Sequence, residues 1–408
     1  MNTPKIRFKG FKDDWEQRKL GDVCSRVQGN DGRMELPTLT ISAGNGWMRQ
    51  EDRFSGNIAG KEQKNYTLLR KGELSYNHGN SKLAKYGTVF SLQTYEEALV
   101  PRVYHSFKVK EGNCDFVEYY FATKLPDREL SKLISSGARM DGLLNIGYDE
   151  FMGIQMIFPS TLEQRKISLY FRKLDHLITL HQRKCDETKQ LKKFMLQKMF
   201  PENGEKNPEI RFEGFTDDWE QRKLGEVCEI KDSARIPNSE WSESGVPYIR
   251  ASDVTNENTD GVLFISQERY EFYKNRTGAP TKDDVLFNGG GEIGKSLLIT
   301  DEKPIYVQGG AVLYAQTSKS RELVGQYLKT YFETTNAKSY IDAASAGGTM
   351  RHFTLKPSQI MRILMPSVEE QEKIGEYFAN LDQLITLHQR KCEKLKELKK
   401  FMLQNMFV

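Results

Sequence analysis

Cysteine is scarce in this sequence, and long apolar runs are missing. Five cysteines among 408 residues are too few, and odd in number, for a disulfide framework, so we expect reduced thiols in a cytoplasmic protein. No run of 18 apolar residues occurs and residues 1–11 carry no apolar core of signal-peptide length, so no membrane association is predicted. These absences exclude a secreted disulfide scaffold and a helical membrane protein.

Neither positive nor negative charge dominates the composition. Lysine and arginine number 60 and aspartate and glutamate 56, which leaves a net charge of +4. This balance permits a polyanionic partner without requiring one, because local patches matter more than the total. With 38% hydrophobic residues the chain has the composition of a globular protein, and its length suffices for two or three domains.

What the sequence does contain is an internal repeat. Residues 163–200 return as residues 370–407, with 27 of 38 positions identical at an offset of 207 residues. Residues 4–24 return as residues 208–228, with 17 of 21 positions identical. Because the blocks between these segments share little identity, the frame of the protein is duplicated while its contents differ.

The divergent blocks still align in pattern. Short strand-like runs separated by Gly, Asn and Ser clusters match between the halves, such as residues 71–77 with 282–288. We predict the α+β class, with two mixed α/β domains that are each followed by a long helix. The expected boundaries are 1–158 for the first domain, 159–200 for the first helix, 201–207 for a linker, 208–365 for the second domain and 366–408 for the second helix.

The two long helices are predicted to pair with each other. A helix of 38 residues is about 57 Å long and needs a partner along its length. With Ile167 at heptad position a, the a and d positions form an apolar stripe, which apolar e positions widen. We predict an antiparallel coiled coil about a pseudo-two-fold axis, in which facing histidines fix the register. The register residues are Leu174, Leu177, His181, Leu381, Leu384 and His388.

A metal site is the alternative role for these histidines. His-x-x-x-Cys occurs twice, at His181 with Cys185 and at His388 with Cys392. If the two histidines face each other in antiparallel helices, the two thiols lie about 12 Å apart along the axis. One tetrahedral zinc ion cannot bind both thiols. We therefore expect no metal site.

Motifs for catalysis are either missing or incomplete. Residues 289–296 fit the P-loop pattern G-x-x-x-x-G-K-S, but a strand-like run follows where a helix is needed, so a hairpin loop is predicted. The carboxylates and lysine of residues 126–132 lie in one helical stretch without a counterpart in the other half, which argues against a nuclease. No methyltransferase cofactor loop is found. We expect no catalytic residues.

Two similar but divergent domains suit the recognition of two different sites on one long ligand, and DNA fits the residues present. Asn, Arg and Lys read base edges or neutralise phosphates. Each residue singly is also what a solvated surface carries, so the hypothesis depends on the set. The candidates are Arg33, His78, Asn80, Lys82, Lys85, Tyr86, Arg102, Tyr104 and Arg139 in the first half and Arg250, Arg276, Asn288, Lys295, Ser296, Arg351 and His352 in the second.

The repeated segments carry a family resemblance. Each half opens with F-x-x-x-W-E-Q-R-K-L-G, at residues 11–21 and 215–225. Each half closes with a strand, Pro-Ser and then E-Q-x-K-I at the start of the long helix. In this order, spacing and duplication the chain resembles the specificity subunit of type I restriction-modification systems over essentially its whole length.

The resemblance implies a division of labour. Two target recognition domains each read one half of a split, asymmetric DNA site, and the helices act as a spacer that docks two methyltransferase subunits. S-adenosylmethionine, ATP and Mg²⁺ are then expected on the methyltransferase and restriction subunits, and no cofactor on this chain. The alternatives from other classes are an interaction scaffold that does not contact DNA and a stand-alone nuclease.

Overall fold

The protein is described here from a computed structural model. The structure describes residues 3–54, 60–134, 143–202, 204–345 and 351–408. The chain divides into two compact units, unit 1 with Met1–His181 and Arg390–Val408 and unit 2 with Gln182–Gln389. Each long helix therefore contributes to both units. In the described part of the chain no helix is both long and apolar enough to cross a membrane.

The strands of unit 1 form one four-stranded sheet and three two-stranded pairs, all antiparallel, within the described residues. They are β1 (Glu16–Lys19), β2 (Cys24–Arg26), β3 (Leu39–Ser42), β4 (Gly46–Arg49), β5 (Thr67–Arg70), β6 (Leu74–Asn77), β7 (Thr88–Ser91), β8 (Glu97–Val100), β9 (His105–Val109) and β10 (Gln155–Phe158). The four-stranded sheet has the order β2-β9-β6-β7. Its buried face carries Leu74, Tyr76 and Phe107, which belong to the core of this unit.

Short helices cover this sheet, and a long helix follows it. Asn113 caps the start of the helix Cys114–Ala122, because its side-chain oxygen accepts a hydrogen bond from the Phe116 backbone N–H at 3.1 Å. The helices are α1 (Leu20–Val23), α2 (Gln50–Phe54), α3 (Cys114–Ala122), α4 (Asp127–Lys132), α5 (Tyr148–Met152) and α6 (Thr161–Lys198), with a 3₁₀ turn at Gly60–Asn65.

Unit 2 repeats this plan and adds a second four-stranded sheet. Its strands are β11 (Glu220–Lys223), β12 (Ile230–Asp232), β13 (Trp241–Ser242), β14 (Val246–Ile249), β15 (Phe264–Ile265), β16 (Val285–Asn288), β17 (Ser296–Leu298), β18 (Tyr306–Val307), β19 (Val312–Ala315) and β20 (Arg362–Met365). Its helices are α7 (Leu224–Val227), α8 (Ala251–Thr255), α9 (Gln267–Thr277), α10 (Gly325–Tyr331), α11 (Thr335–Ala344), α12 (Leu355–Ile360) and α13 (Val368–Asn405), with 3₁₀ turns at Asn238–Glu240 and Thr317–Lys319.

The two units share one topology where their sequences have diverged. The sheet β12-β19-β16-β17 of unit 2 has the strand order of β2-β9-β6-β7 in unit 1. In both units the opening strand pairs antiparallel with the strand before the long helix, β1 with β10 and β11 with β20. The predicted α+β class with two mixed domains, each followed by a long helix, is confirmed.

The segment that fits the P-loop pattern is a hairpin loop. It connects β16 to β17, which are antiparallel neighbours with Phe287 opposite Ser296. A P-loop instead leads into a helix whose first N–H groups hold the phosphate. The hairpin prediction is therefore confirmed.

The long helices pack together in antiparallel fashion, as predicted. In unit 1 the Lys399 ammonium of α13 donates to Asp175 of α6 at 2.5 Å. In unit 2 the repeat-related Lys192 of α6 donates to Asp382 of α13 at 2.6 Å. Asp175, near the start of α6, thus meets Lys399, near the end of α13, and Lys192, near the end of α6, meets Asp382. The two helices therefore run in opposite directions.

The buried face of the helices follows heptad positions a and e instead of a and d. Phe171 at position e is fully buried, whereas Leu177 and Leu384 at position d are 39% and 45% exposed. Positions a and e are spaced alternately by four and three residues, which is also the spacing of a heptad seam. The apolar residues of the sequence therefore fit an a/e seam as well as an a/d seam. The d positions of the predicted register, Leu177 and Leu384, were therefore wrong.

The register residues at heptad position a, unlike those at position d, are buried or half-buried. Leu174 and Leu381 are each 6% exposed and belong to the cores of units 1 and 2. His181 and His388 are half-buried. The polar layer formed by the two histidines stays a prediction.

An aromatic side chain beyond the end of each long helix enters a domain core. Phe407, which follows α13, lies 5.4 Å from Phe116 between ring centroids in the core of unit 1. Phe200, which follows α6, lies 5.7 Å from Tyr327 in the core of unit 2. The repeated Met-Phe at the ends of the helices is therefore a packing motif.

A buried ion pair ties the opening segment of each half to the start of a long helix. The Arg7 guanidinium donates to both oxygens of Glu163 at 2.7 and 2.8 Å, and this hydrogen bonding raises the pKa of Arg7. The Glu163 side chain is only 1% exposed. Arg211 makes the same two contacts with Glu370 in unit 2, at 2.7 and 2.8 Å.

Arg7→Met should destabilise unit 1 by about 3 kcal/mol, because it leaves the Glu163 carboxylate buried without its cation. Urea unfolding of the full chain measures the loss. The double variant Arg7→Met/Glu163→Leu should recover most of the stability, since both charges are then removed. Equal destabilisation of the single and double variants would contradict the assignment of the effect to an uncompensated charge.

Candidate nucleic-acid interface

The central strand of each main sheet ends in an asparagine that braces a neighbouring segment. In unit 1 the Asn77 amide donates to the Ile41 carbonyl at 3.2 Å. In unit 2 the Asn288 amide donates to the Ala251 carbonyl at 2.9 Å. Ile41 and Ala251 occupy matching places in the aligned segments 36–42 and 246–252. One bracing contact is thus present twice in domains of different sequence.

The position of Asn288 suits support better than direct contact with a ligand. Its side chain is fully buried, and its amide also donates to the Thr255 hydroxyl at 3.1 Å. Both amide donors are therefore used inside the domain. Asn77 was missed among the sequence candidates, although its match with Asn288 at the aligned strand ends was a signal that could have found it.

The loop after Asn77 presents charged and polar groups to solvent. Asn80, Lys82 and Lys85 are exposed. The Lys85 ammonium lies 5.4 Å from the centre of the Tyr86 ring. The Tyr86 carbonyl accepts a hydrogen bond from the Tyr76 hydroxyl at 2.7 Å, so the base of the loop is held while its basic side chains remain accessible.

Two candidates of unit 1 lie beneath this surface. His78 is 5% exposed, and its ring centroid is 4.9 Å from that of His105. Burial lowers the pKa of His105, whose Nε2 contacts the Ile146 carbonyl at 2.8 Å. Tyr104 is 8% exposed, with its hydroxyl 3.0 Å from that of Thr40. The structure thus places His78 and Tyr104 inside the domain, where His78 contacts β9 and Tyr104 contacts β3.

The arginine candidates of unit 1 differ in availability. Arg102 is exposed. Arg33 contacts Asp31 at 2.8 Å and Glu97 at 2.7 Å, and the hydrogen bond from Arg33 lowers the pKa of Glu97. Arg139 lies outside the described residues.

In unit 2 the structure brings two candidate segments together. Lys295 and Ser296 contribute to the lining of a cavity of about 430 Å³, which also contains Ile293 and Asp342. Arg351 and His352 line an adjacent cavity of about 420 Å³ together with the same Ile293 and Asp342. Residues separated by more than fifty positions in the sequence therefore form one surface.

The side chains on this surface of unit 2 are mostly accessible. Lys295, Arg351 and His352 are exposed. Arg351 donates to the Asp342 carboxylate at 2.9 Å, and the Ser296 hydroxyl contacts the Lys329 carbonyl at 3.4 Å.

The remaining two candidates of unit 2 lie on other elements. Arg250 caps the start of α8 and contacts the Asp253 carboxylate at 3.2 Å. Arg276 is exposed in the last turn of α9. The sequence also missed Lys338 of α11, which lines the cavity beside Lys295, and no repeated signal marked it.

Asn288→Leu should lower the stability of unit 2 by about 2 kcal/mol, because the Ala251 carbonyl loses its buried donor. Urea unfolding of the full chain measures the loss. Asn77→Leu is the matched variant and should destabilise unit 1 by a smaller amount, because the Ile41 carbonyl still accepts from the Arg53 guanidinium at 2.8 Å. Unchanged stability in the Asn288 variant would contradict the bracing role.

Comparison with known proteins adds family evidence to this geometry. Residues 216–397 match the model of the type I restriction modification DNA specificity domain. Over 421 aligned positions the chain is 24% identical to the putative type I restriction enzyme MjaX specificity subunit of Methanocaldococcus jannaschii, covering 98% of this chain and 94% of that protein. The MjaVIII specificity subunit of the same organism is 22% identical over 306 residues, covering 72% and 70%.

A solved structure has the same fold over the full length. The S subunit of a type I restriction-modification system from M. genitalium superimposes with a TM-score of 0.64 at 15% identity, covering 100% of this chain and 99% of that chain. Residues 216–397 are thus similar to the type I DNA specificity domain. Over its whole length the chain is similar to a putative type I restriction enzyme specificity subunit, which confirms the resemblance carried by its repeated segments.

Proposed function

We propose that this chain is the DNA-recognition subunit of a type I restriction-modification complex and that each unit reads one half of a bipartite, asymmetric site. The observation that carries the proposal is one recognition framework built twice, with the same strand order and the same asparagine brace but different loops. Identical loops would suit a symmetric site. Divergent loops suit two unlike half-sites on one duplex.

Accessible side chains of the two units supply the expected chemistry. Amide and guanidinium groups read base edges in the major groove, and ammonium groups neutralise phosphates. Exposure favours a subset of the candidates for direct contact, while the buried ones position the loops. This subset is Asn80, Lys82, Lys85 and Arg102 in unit 1 and Arg276, Lys295, Arg351 and His352 in unit 2.

The paired helices are proposed to dock two methyltransferase subunits. Apolar side chains are 39–52% exposed in repeat-related sets, with Leu177, Leu398 and Phe401 in unit 1 and Leu384, Leu191 and Phe194 in unit 2. Exposure of leucine and phenylalanine side chains to water does not stabilise the chain. These residues are nevertheless identical between the two repeats, although the globular blocks have diverged. A partner that binds in two identical copies explains both facts.

Phe194→Asp should reduce the number of methyltransferase subunits bound per chain from two to one, because a charge at the centre of an apolar contact opposes its burial. Native mass spectrometry of the co-expressed complex counts the subunits. Phe401→Asp is the matched variant and should also leave one subunit bound, whereas the double variant should bind none. Two subunits retained by the double variant would contradict docking at this surface.

Chemistry is assigned to the partners. We propose that methyltransferase subunits bind S-adenosylmethionine, that restriction subunits use ATP and Mg²⁺, and that this chain contributes no catalytic residue. The complex is expected in the cytoplasm, where the chromosome is its substrate.

Mapping of genomic methylation tests the function. Cells that carry this chain as the only specificity subunit, together with its methyltransferase, should show one motif of two unlike half-sites separated by a fixed gap. Cells lacking this chain should lose that motif. Methylation that persists without the chain would favour a scaffold role, and cleavage of DNA by the purified chain alone would favour a nuclease.

A further inference from the structure

Unit 1 contains a basic groove where α3 ends against the two long helices. The groove has a volume of about 480 Å³ and is lined by Lys124 after α3 and by Lys396, Lys399 and Lys400 of α13. Asp175 of α6 is the one carboxylate in its lining. Four cations against one anion give this groove a charge of +3.

The single carboxylate is already fully occupied. One oxygen of Asp175 accepts from Lys399 at 2.5 Å, and the other accepts from the Tyr119 hydroxyl at 2.7 Å. Among the described residues, no ion pair involves Lys124, Lys396 or Lys400. The three ammonium groups are therefore open to an anionic ligand.

The repeat-related place in unit 2 is less basic. Ala122 at the end of α3 aligns with Glu333 after α10, and Lys124 aligns with Thr335. Lys192, the counterpart of Lys399, contacts both Glu333 at 2.7 Å and Asp382 at 2.6 Å.

The charge difference between the two places follows from these substitutions. The repeat-related helix lysines of unit 2 are Lys189, Lys192 and Lys193. Lys329 adds a fourth cation, since it contacts Asp382 at 3.8 Å and Glu257 at 3.5 Å. With Glu333, Asp382 and Glu257 as the carboxylates, the net charge is +1 where unit 1 has +3. The central lysine side chain is also less accessible, at 12% exposed for Lys192 against 26% for Lys399. Of these two repeat-related places, the one in unit 1 has the higher positive charge and the more accessible central lysine.

We propose that the groove of Lys124, Lys396, Lys399 and Lys400 binds the phosphodiester backbone of the DNA duplex. The inference rests on the proposed DNA-recognition function and extends it to a contact outside the recognition loops. Lysine ammonium groups are point charges that neutralise phosphates without reading sequence. The asymmetry between units favours DNA, because a partner that docks in two copies requires the same residues twice, whereas one asymmetric duplex contacts the two units differently.

Salt dependence of DNA binding tests the groove. The logarithm of the binding constant falls as the logarithm of the salt concentration rises, and we call the magnitude of this fall the slope. Each phosphate contact contributes about 0.9 to it. In the full chain assembled with its methyltransferase subunits, Lys396→Gln/Lys400→Gln should therefore lower the slope for a 40-bp mixed-sequence duplex by about 2. The repeat-related Lys189→Gln/Lys193→Gln is the matched control and should lower it by less than about 0.5. Equal changes in both variants, or no change in the first, would overturn the proposal.

A second variant tests the groove without removing a lysine. Ala122→Glu introduces the carboxylate of unit 2 at an exposed position and should lower the slope by about 1. An unchanged slope with a retained methylation motif overturns the groove and leaves the proposed function standing. Absence of any methylation motif in wild type overturns the proposed function itself. Loss of a methyltransferase subunit from the lysine variant would identify the groove as a protein contact and also overturn the proposal.

Discussion

Inserting one heptad into both long helices should lengthen the preferred gap between the half-sites by about three base pairs. Seven residues add about 10 Å to a helix, and base pairs of B-DNA stack about 3.4 Å apart. The expected result follows from the proposed role of the helices as a spacer between two rigid recognition domains. Because both helices are lengthened, their a and e faces stay opposed.

The insertion is best placed after His181, where unit 2 begins, and after the repeat-related His388, one residue before unit 2 ends at Gln389. Duplicating residues 175–181 and 382–388 retains the heptad pattern of each helix. Mapping of the methylation motif reads the gap directly. Insertion into α6 alone is the control and should abolish methylation, because the apolar faces then fall out of register. An unchanged gap in the double insertion would disprove the spacer role.

The duplicated frame could be predicted from the sequence because its residues interact locally or are repeated. Helix length follows from a run of helix-forming residues, and the strand before each asparagine follows from its apolar run. The hairpin at 289–295 followed from the strand-like residues after it. The heptad frame could not be predicted, because Tyr170 and Phe171 are both aromatic and only the tertiary packing decides that Phe171 is the fully buried one.

Burial of individual candidates could not be predicted from the sequence, because it depends on distant residues. Tyr104 is fixed by Thr40, which lies 64 positions away, and Arg33 pairs with Glu97 at the same separation. In the sequence Asn288 resembles a polar loop residue, and only the folded structure shows that its amide donates to the Ala251 carbonyl. The same polar residue types occur in solvent-exposed loops and at buried positions where a side chain holds two segments together. Only tertiary contacts distinguish the two cases.

Exchanging residues 25–155 for the matching block of another specificity subunit should change one half of the methylation motif and leave the other half and the gap intact. The exchanged block begins after Cys24 and ends at Gln155, beside the β1 and β10 pair that closes the domain. The duplicated frame on both sides, including Arg7 with Glu163, stays native. Unit 2 is untouched.

The expected loss at the original site is large. Each mismatched base pair costs about 1–3 kcal/mol, so two altered base pairs in the half-site lower binding by at least about thirtyfold. Genomic methylation mapping measures the new motif, and the matched exchange of residues 229–362 should alter the opposite half. The prediction depends on the separation of the sheet that carries the first recognition loop from the sheet that carries the second, each within its own unit. A change in both halves after the first exchange would mean that the units do not read DNA independently, and one framework built twice would then not explain an asymmetric site.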